Sequence, residues 1–232
     1  MPGPSSPLPP IIYTRPRPPQ RIKIVPSDPT WRSIAFPAVA ARLSSALGPS
    51  AIIALHHVGS TSVPDLPAKP IIDVNLIIAD STDEASYVPQ LESAGFMFIS
   101  RDPAWSERRY FVLLEDAPGD ERPRDANGEA EYGVSLGVYG VADTAHVEDH
   151  LRLREWLSEH REDRELYVRA KRAAAEAVER GEAEGEEGSL TDRYHARKRG
   201  VVEEIVERMY KAGAGKGVEV VGVNIPGDVV HR

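Results

Sequence analysis

Apolar residues do not recur at one period along this chain, and the changes of period mark out its elements. Ala51 to Val58 and Ile71 to Ile78 are near-continuous apolar runs, the pattern of strands buried on both faces. Phe96 to Ser100, Arg109 to Leu114 and Tyr132 to Tyr139 read as further strands, and Arg21 to Val25 alternates basic and apolar residues as a short edge strand does. Asp28-Pro29 is an N-cap with proline at the first helical position, opening a helix toward Leu47 that Pro37 should bend or divide. Ser81 with Glu84 makes a capping box for a helix running to about Ala94. From Asp143 onward the period is helical, over Thr144 to Glu159, Asp163 to Arg180 and Thr191 to Ala212. The stretches Glu115 to Glu131 and Gly181 to Gly188 are acidic and rich in turn residues, and are expected to be exposed loops.

Strands first and helices last predict an α/β (α+β) domain, a mixed sheet with flanking helices and a C-terminal helical subregion that closes one side of a cleft. Its expected extent is residues 21–212. Residues 1–20 carry PRPRPP-like character and are expected to be a disordered or polyproline II tail, a candidate ligand for an SH3-type partner. Residues 213–232 form a second tail, glycine-rich and then apolar.

Composition narrows the function. The chain has 232 residues, enough for a sizeable core, and a formal net charge of -8 that argues against generic duplex nucleic-acid binding. It has no cysteine, which rules out disulfides, thiolate metal sites and cysteine nucleophiles. No apolar run approaches the roughly 20 residues of a membrane span, and MPGPSSPLPP lacks the regions of a secretory signal, so a cytoplasmic location is expected.

The chemistry concentrates in His56-His57-Val58-Gly59-Ser60-Thr61-Ser62 and the following Lys69 to Ile78. Small hydroxyl residues after a strand free backbone N–H groups to hold an anion, and Asp73 on the next strand can place a divalent cation beside it. The plain alternative is an ordinary capped turn and a strand-end acid. Asn75 lies on the same strand face as Asp73, because side chains alternate, but it carries no charge. Of the two histidines, His57 directly precedes the Val-Gly-Ser step.

The phrase HHVGSTSVPDLPAKPIIDVNLII resembles the signature of the GrpB family, whose members belong to the nucleotidyltransferase-fold superfamily. The likeness continues through Ile24-Val25-Pro26, Asp28-Pro29-Thr30-Trp31, Arg108-Arg109-Tyr110-Phe111-Val112 and the helical region His150 to Ile205, covering most of Ile22 to Tyr210. The resemblance implies that Gly59 and Ser60 form the Gly-Ser element of that superfamily and that Asp73 is its first acid. With Ser60 it would carry the chemistry, and Asp73 and Asn75 would hold Mg2+, or Mn2+. A third acid is expected on the Tyr132 to Tyr139 strand, where GrpB relatives show His-Leu-His-Val and this chain reads Ser135-Leu136-Gly137-Val138; Glu115 and Glu131 are the nearest substitutes.

The helical half carries His150 with Arg154, Tyr167 with Lys171 and Tyr194 with Lys198, each an i, i+4 pair on one helix face. All recur in the GrpB pattern. They read either as a cationic wall, with Lys69 and Arg109, over the Gly59-Ser60 turn, or as side chains that merely cover the core. Two functions follow. One is an enzyme that binds a nucleoside triphosphate, or another phosphorylated small molecule, and transfers a nucleotidyl group to an acceptor. The other is a non-catalytic nucleotide- or partner-binding module of the same descent, with a link to coenzyme A metabolism suggested by the fusion of some GrpB domains to dephospho-coenzyme A kinase.

Overall fold

The computed structural model describes residues 9–18, 20, 22–181 and 189–213. Six strands form one sheet: β1 (Ile12–Tyr13), β2 (Ala54–Val58), β3 (Ile71–Ile78), β4 (Phe96–Asp102), β5 (Arg108–Leu113) and β6 (Gly133–Gly140). Their spatial order is β1-β4-β5-β6-β3-β2, and β3 with β6 is the one parallel pair. Among the described residues five α-helices accompany it: α1 (Phe36–Leu47), α2 (Val88–Ser93), α3 (Ala145–Glu159), α4 (Arg161–Glu179) and α5 (Leu190–Lys211).

Strand alternation sorts the side chains into two layers. Ile72, Val74, Leu76, Val134, Leu136, Val138 and Phe111 turn to one face and form the main core with Val39 and Leu43 of α1 and Leu91 of α2. The other face carries Asp73, Asn75, Ser135, Gly137 and Tyr110 at mutually paired or adjacent register positions. Over it, Val63, Leu66, Leu153, Leu157, Tyr167, Val202 and Ile205 make a second core among α3, α4 and α5. A hydrophobic layer thus supports the sheet from one side, and the helical subregion covers a polar patch on the other.

Local sequence explains several details. Pro37 stands in the first turn of α1, directly after a π-type stretch, Trp31–Ala35, so the helical run changes its pitch where the proline lacks an N–H. Ser189 and Asp192 form a complete capping box for α5. The expected capping box of Ser81 and Glu84 does not form. Ser81 donates instead to the Glu107 carbonyl, and Glu84 receives Arg101 and Arg109, leaving a 3-10 turn and the short α2.

The edge strand also differs from expectation. Arg21 lies outside the described residues, and of residues 22–25 only Val25 makes a bridge, to Ala68. Ile12 and Tyr13, inside the proline-rich segment, pair with Arg101 and Ser100 of β4 instead. Thr14 adds a hydrogen bond from its Oγ1 to the Phe98 carbonyl, so prolines on either side leave a free stretch just long enough to extend the sheet. Residues 1–8 of that tail, residues 182–188 of the acidic loop and residues 214–232 of the C-terminal tail lie outside the described residues.

Asp163 ties the helical layer together. It accepts from Trp156 Nε1 of α3 at 2.7 Å and from Arg208 Nη2 of α5 at 2.6 Å. Replacing it by Ala should leave the half-buried indole N–H without its partner and lower stability by about 1–3 kcal/mol in urea unfolding, with the sheet's hydrogen-exchange protection preserved.

Candidate functional site

Gly59 ends β2 with φ +69°, a conformation that L side chains rarely adopt. There is also no room for a side chain. A Cβ there would overlap the Asp73 carboxylate and lie 3.0 Å from both Asp73 Cβ and Cγ. The following turn, Ser60–Ser62, is fastened from both ends: Ser62 Oγ donates to the Gly59 carbonyl at 2.6 Å, and Thr61 Oγ1 donates to the Ile71 carbonyl of β3 at 2.8 Å. The backbone of the turn is therefore pressed against the one acid of the site.

The cleft beyond this turn is lined by Gly59, Ser60, Lys69, Asp73, Ser135, Tyr167, Lys171, Tyr194, His195 and Lys198, together with Arg17 and Gln20. It gathers three lysines and one arginine around a single carboxylate. Lys69 Nζ and Lys198 Nζ lie 4.9 and 5.5 Å from the Tyr194 ring, and Lys171 Nζ lies 4.6 Å from the Tyr167 ring. Lys171 is 2% exposed and its ammonium has no hydrogen-bond partner. Burial, then the neighbouring Lys198 and Lys69, pull its pKa well below the ordinary lysine value. Burial raises the Asp73 pKa to about 7, against the opposing pull of Lys69, Arg17, Lys198 and Lys171. Burial, then Lys198, Lys69 and Arg17, pull the His195 pKa well below the ordinary histidine value.

The structure thus brings together Gly59, Ser60, Asp73, Lys69, Lys171, Tyr194 and Lys198 of the residues singled out from sequence. Others go elsewhere. Arg109 stands on the opposite face of the sheet, paired in register with the core residue Val138, and its guanidinium is held by Glu84 at 2.8 Å and Glu107 at 2.9 Å. Its neighbour Arg108 faces the cleft side and is paired with the buried Asp102. Arg154 donates to the His57 carbonyl at 3.0 Å, and His150 Nδ1 meets the Asn75 amide at 2.9 Å; both fasten α3 to the sheet and neither lines the cleft. His57 stacks on Phe36 and bonds Thr61 Oγ1 at 3.0 Å, and burial lowers its pKa to about 4, as suits a structural histidine.

Arg17, Gln20 and His195 were not singled out in the sequence. The first two sit in a proline-rich stretch whose path the sequence does not set. Arg17 bonds the Tyr110 hydroxyl with its guanidinium 4.9 Å from that ring, and Gln20 Oε1 accepts from Lys69 at 3.5 Å. The one available signal was the spacing of His195 from Lys198, which puts both on one face of α5.

The donor set does not fit a resident divalent cation. Among the described residues Asp73 is the sole carboxylate lining the cleft, and four cations surround it. Asn75 is engaged by His150, and the Ser135 hydroxyl by Tyr110 at 3.0 Å. Glu115 and Glu131 do not line the cleft. At Gly137 a side chain would meet Tyr139 Cε2 at 2.9 Å and Arg108 Cδ at 3.2 Å, so that position has been filled by its neighbours. Among the described residues no group of three His, Cys, Asp or Glu side chains could hold a metal. The assembly favours an anion instead.

Two outcomes follow. Gly59→Ala should force the turn and Asp73 apart, lowering the melting temperature and disturbing the cleft together, whereas Gly48→Ala, with open space around it, should carry only its backbone strain. Asp73→Asn should change how stability depends on pH. A carboxyl whose folded-state pKa is raised stabilises the fold fully below its unfolded value, and that contribution is lost as pH rises to and through about 7. Unfolding of both proteins between pH 4 and 8 should therefore show the wild type losing ground to the Asn variant as pH rises; parallel curves would contradict the assignment.

Comparison with known proteins places the chain. Residues 21–208 match the family model described as GrpB protein. The chain is 35% identical over 187 residues to the UPF0157 protein BH1888 of Halalkalibacterium halodurans, covering 81% of this chain and 82% of that one. It is 34% identical over 156 residues to the UPF0157 protein PA4798 of Pseudomonas aeruginosa, covering 67% and 57% respectively. Its fold is similar to the crystal structure of the conserved protein GrpB from Enterococcus faecalis, with a TM-score of 0.55 and 22% identity over 81% of this chain and 99% of that one. A more distant likeness, TM-score 0.43 and 14% identity over 62% of this chain and 42% of the other, is to the Cid1 poly(U) polymerase with MgGTP bound. With its mixed sheet, its Gly59-Ser60 turn and its C-terminal helices, this chain belongs to the GrpB family.

Proposed function

We propose that the protein binds a nucleoside triphosphate, or a phosphorylated small molecule of similar charge, in the cleft over Gly59 and Ser60. The observation that carries this reading is the buried, unpartnered ammonium of Lys171 in a cleft where Lys69, Lys198 and Arg17 outnumber Asp73. A desolvated charge without a partner is costly, and a polyanion entering the cleft neutralises the excess and supplies the missing hydrogen bonds. Phosphate oxygens suit this geometry because ammonium groups from α4, α5 and the segment before β3 converge on it from several directions. The cleft encloses only about 40 Å3, so a nucleotide must open it.

The placement of Asp73 against the glycine turn supports a second reading, nucleotidyl transfer to an acceptor hydroxyl. Divalent metal would then enter with the triphosphate, because the protein's own donors do not suffice to hold it. Label transfer from several triphosphates with Mg2+ or Mn2+, beside an Asp73→Ala control, tests this reading; label incorporated equally by both proteins, or by neither, would leave binding as the function.

Lys171→Met should weaken inorganic tripolyphosphate binding by about tenfold or more, since a charge-assisted contact contributes about 1.5–3 kcal/mol. The same variant should melt higher than the wild type, because it removes a buried charge that has no partner. Unchanged affinity by calorimetry would sink the phosphate assignment. Affinity should also fall as pH rises through about 7, since ionised Asp73 repels the anion. Sulfate, which does not titrate in this range, separates that effect from ionisation of the ligand.

A further inference from the structure

A second cavity, of about 490 Å3, lies beside the lysine-lined cleft and shares Arg17 with it. One wall is the N-terminal segment from Ile11 to Arg17, docked on the sheet edge through β1. The other is Ile99, Ser100 and Asp102 of β4, Arg108 and Tyr110 of β5, and Ser189 and Asp192 at the start of α5. Its volume is that of a small-molecule site, whereas the lysine cleft has room for little more than a phosphate's water.

Two features give this cavity a chemistry. Asp102 is 1% exposed, and its Oδ2 receives Arg108 Nε at 2.8 Å and Nη2 at 2.5 Å, but its Oδ1 accepts no hydrogen bond. A buried carboxylate oxygen without a donor is rare enough to need an explanation. The lining also carries both signs of charge, Asp102 and Asp192 against Arg15, Arg17 and Arg108, around the apolar surfaces of Tyr13, Pro16, Ile99 and Tyr110. An anion entering here meets two carboxylates, and a cation meets three guanidinium groups. A neutral ring bearing several hydroxyls meets neither objection. Its hydroxyls donate to Asp102 and accept from arginine, while its C–H face rests on a tyrosine.

We infer that this cavity is a second binding site, for a sugar-like polyhydroxylated ring, with Asp102 as the acceptor of one of its hydroxyls. The inference deepens the phosphate reading and rests on it for what lies next door, since Arg17 borders both chambers. The ring is then either the ribose of a nucleotide whose phosphates occupy the lysine cleft, or a separate hydroxylated molecule held beside those phosphates.

The test uses the full chain and neutral probes: adenosine, uridine, methyl β-D-ribofuranoside and 2′,3′-dideoxyadenosine, observed by saturation-transfer NMR and calorimetry, with and without inorganic tripolyphosphate. The ribonucleosides and the riboside should bind, and loss of both ring hydroxyls should weaken binding about tenfold. Asp102→Asn should do the same without altering tripolyphosphate affinity, and Tyr13→Ala, on an exposed side chain that threatens no core packing, should weaken the neutral probes alone. Lys171→Met should show the reverse pattern. If ATP binds more tightly than its 2′,3′-dideoxy form, the ring belongs to the nucleotide; if adenosine still binds to ATP-saturated protein, it belongs to a second ligand, and either result supports the site. Neutral probes that bind normally while tripolyphosphate fails would remove the phosphate reading and keep this one. Absence of saturable binding by every ribose-bearing probe, or binding indifferent to both Asp102→Asn and Tyr13→Ala, would overturn it.

Discussion

The contact between Gly59 and the Asp73 carboxylate is the constraint on which the site depends. A turn that must bring its backbone against an acid on the neighbouring strand can use only glycine, because both the positive φ and the missing Cβ are required at one position. That contact sets the pairing of β2 with β3, Val58 opposite Asp73, and the parallel pairing of β3 with β6 then brings Ser135 beside the same acid. The polar patch on the sheet is therefore a product of register, and the main core on the reverse face holds that register. A slip of one residue would exchange the two faces.

Once the patch exists, something must cover it. The helical layer does so with lysines carried on tyrosine rings and buries one of them without a partner. Such an arrangement works against folding stability, since desolvated like charges sit close together and Asp73 compensates only one of them. The offset lies away from the cleft: Asp163 joins α3 to α5, the Ser189-Asp192 box opens α5, and a separate apolar core runs between α3, α4 and α5. Strain of this kind, held by a scaffold built elsewhere, is expected where a ligand completes the electrostatics.

How much of this was legible in the sequence depends on which physical signal carried it. Ile71 to Ile78 was read in full because a near-continuous apolar run rich in β-branched residues suits a strand buried on both faces, and Gly59, Ser60 and Asp73 were found because turn chemistry and resemblance point to the same residues. Lys171, Tyr194 and Lys198 followed from helical spacing. Arg108 and Arg109 were not separable in that way. Adjacent strand residues face opposite sides, and with arginine at both positions the pattern alone cannot say which one turns to the cleft. His150 and Arg154 share a helix face as expected, yet that face meets β2 and β3 rather than the lysines. Arg17 was hidden for a different reason: a proline-rich stretch has no periodicity, and its course is fixed by hydrogen bonds from Thr14 and Ile12 to a sheet edge that exists only in the folded chain.

The packing around Gly137 couples three side chains into one unit. The space beside that glycine is taken by the Tyr139 ring and the Arg108 stem, and Arg108 is in turn bound to Asp102. A bulky ligand-bearing residue could not arrive at position 137 alone; Tyr139 and Arg108 would first have to shrink or swing away, and Asp102 would lose its partner. Residues in direct contact do not vary independently. The Arg108–Asp102 pair, as it stands in this chain, thus depends on the absence of a side chain at position 137.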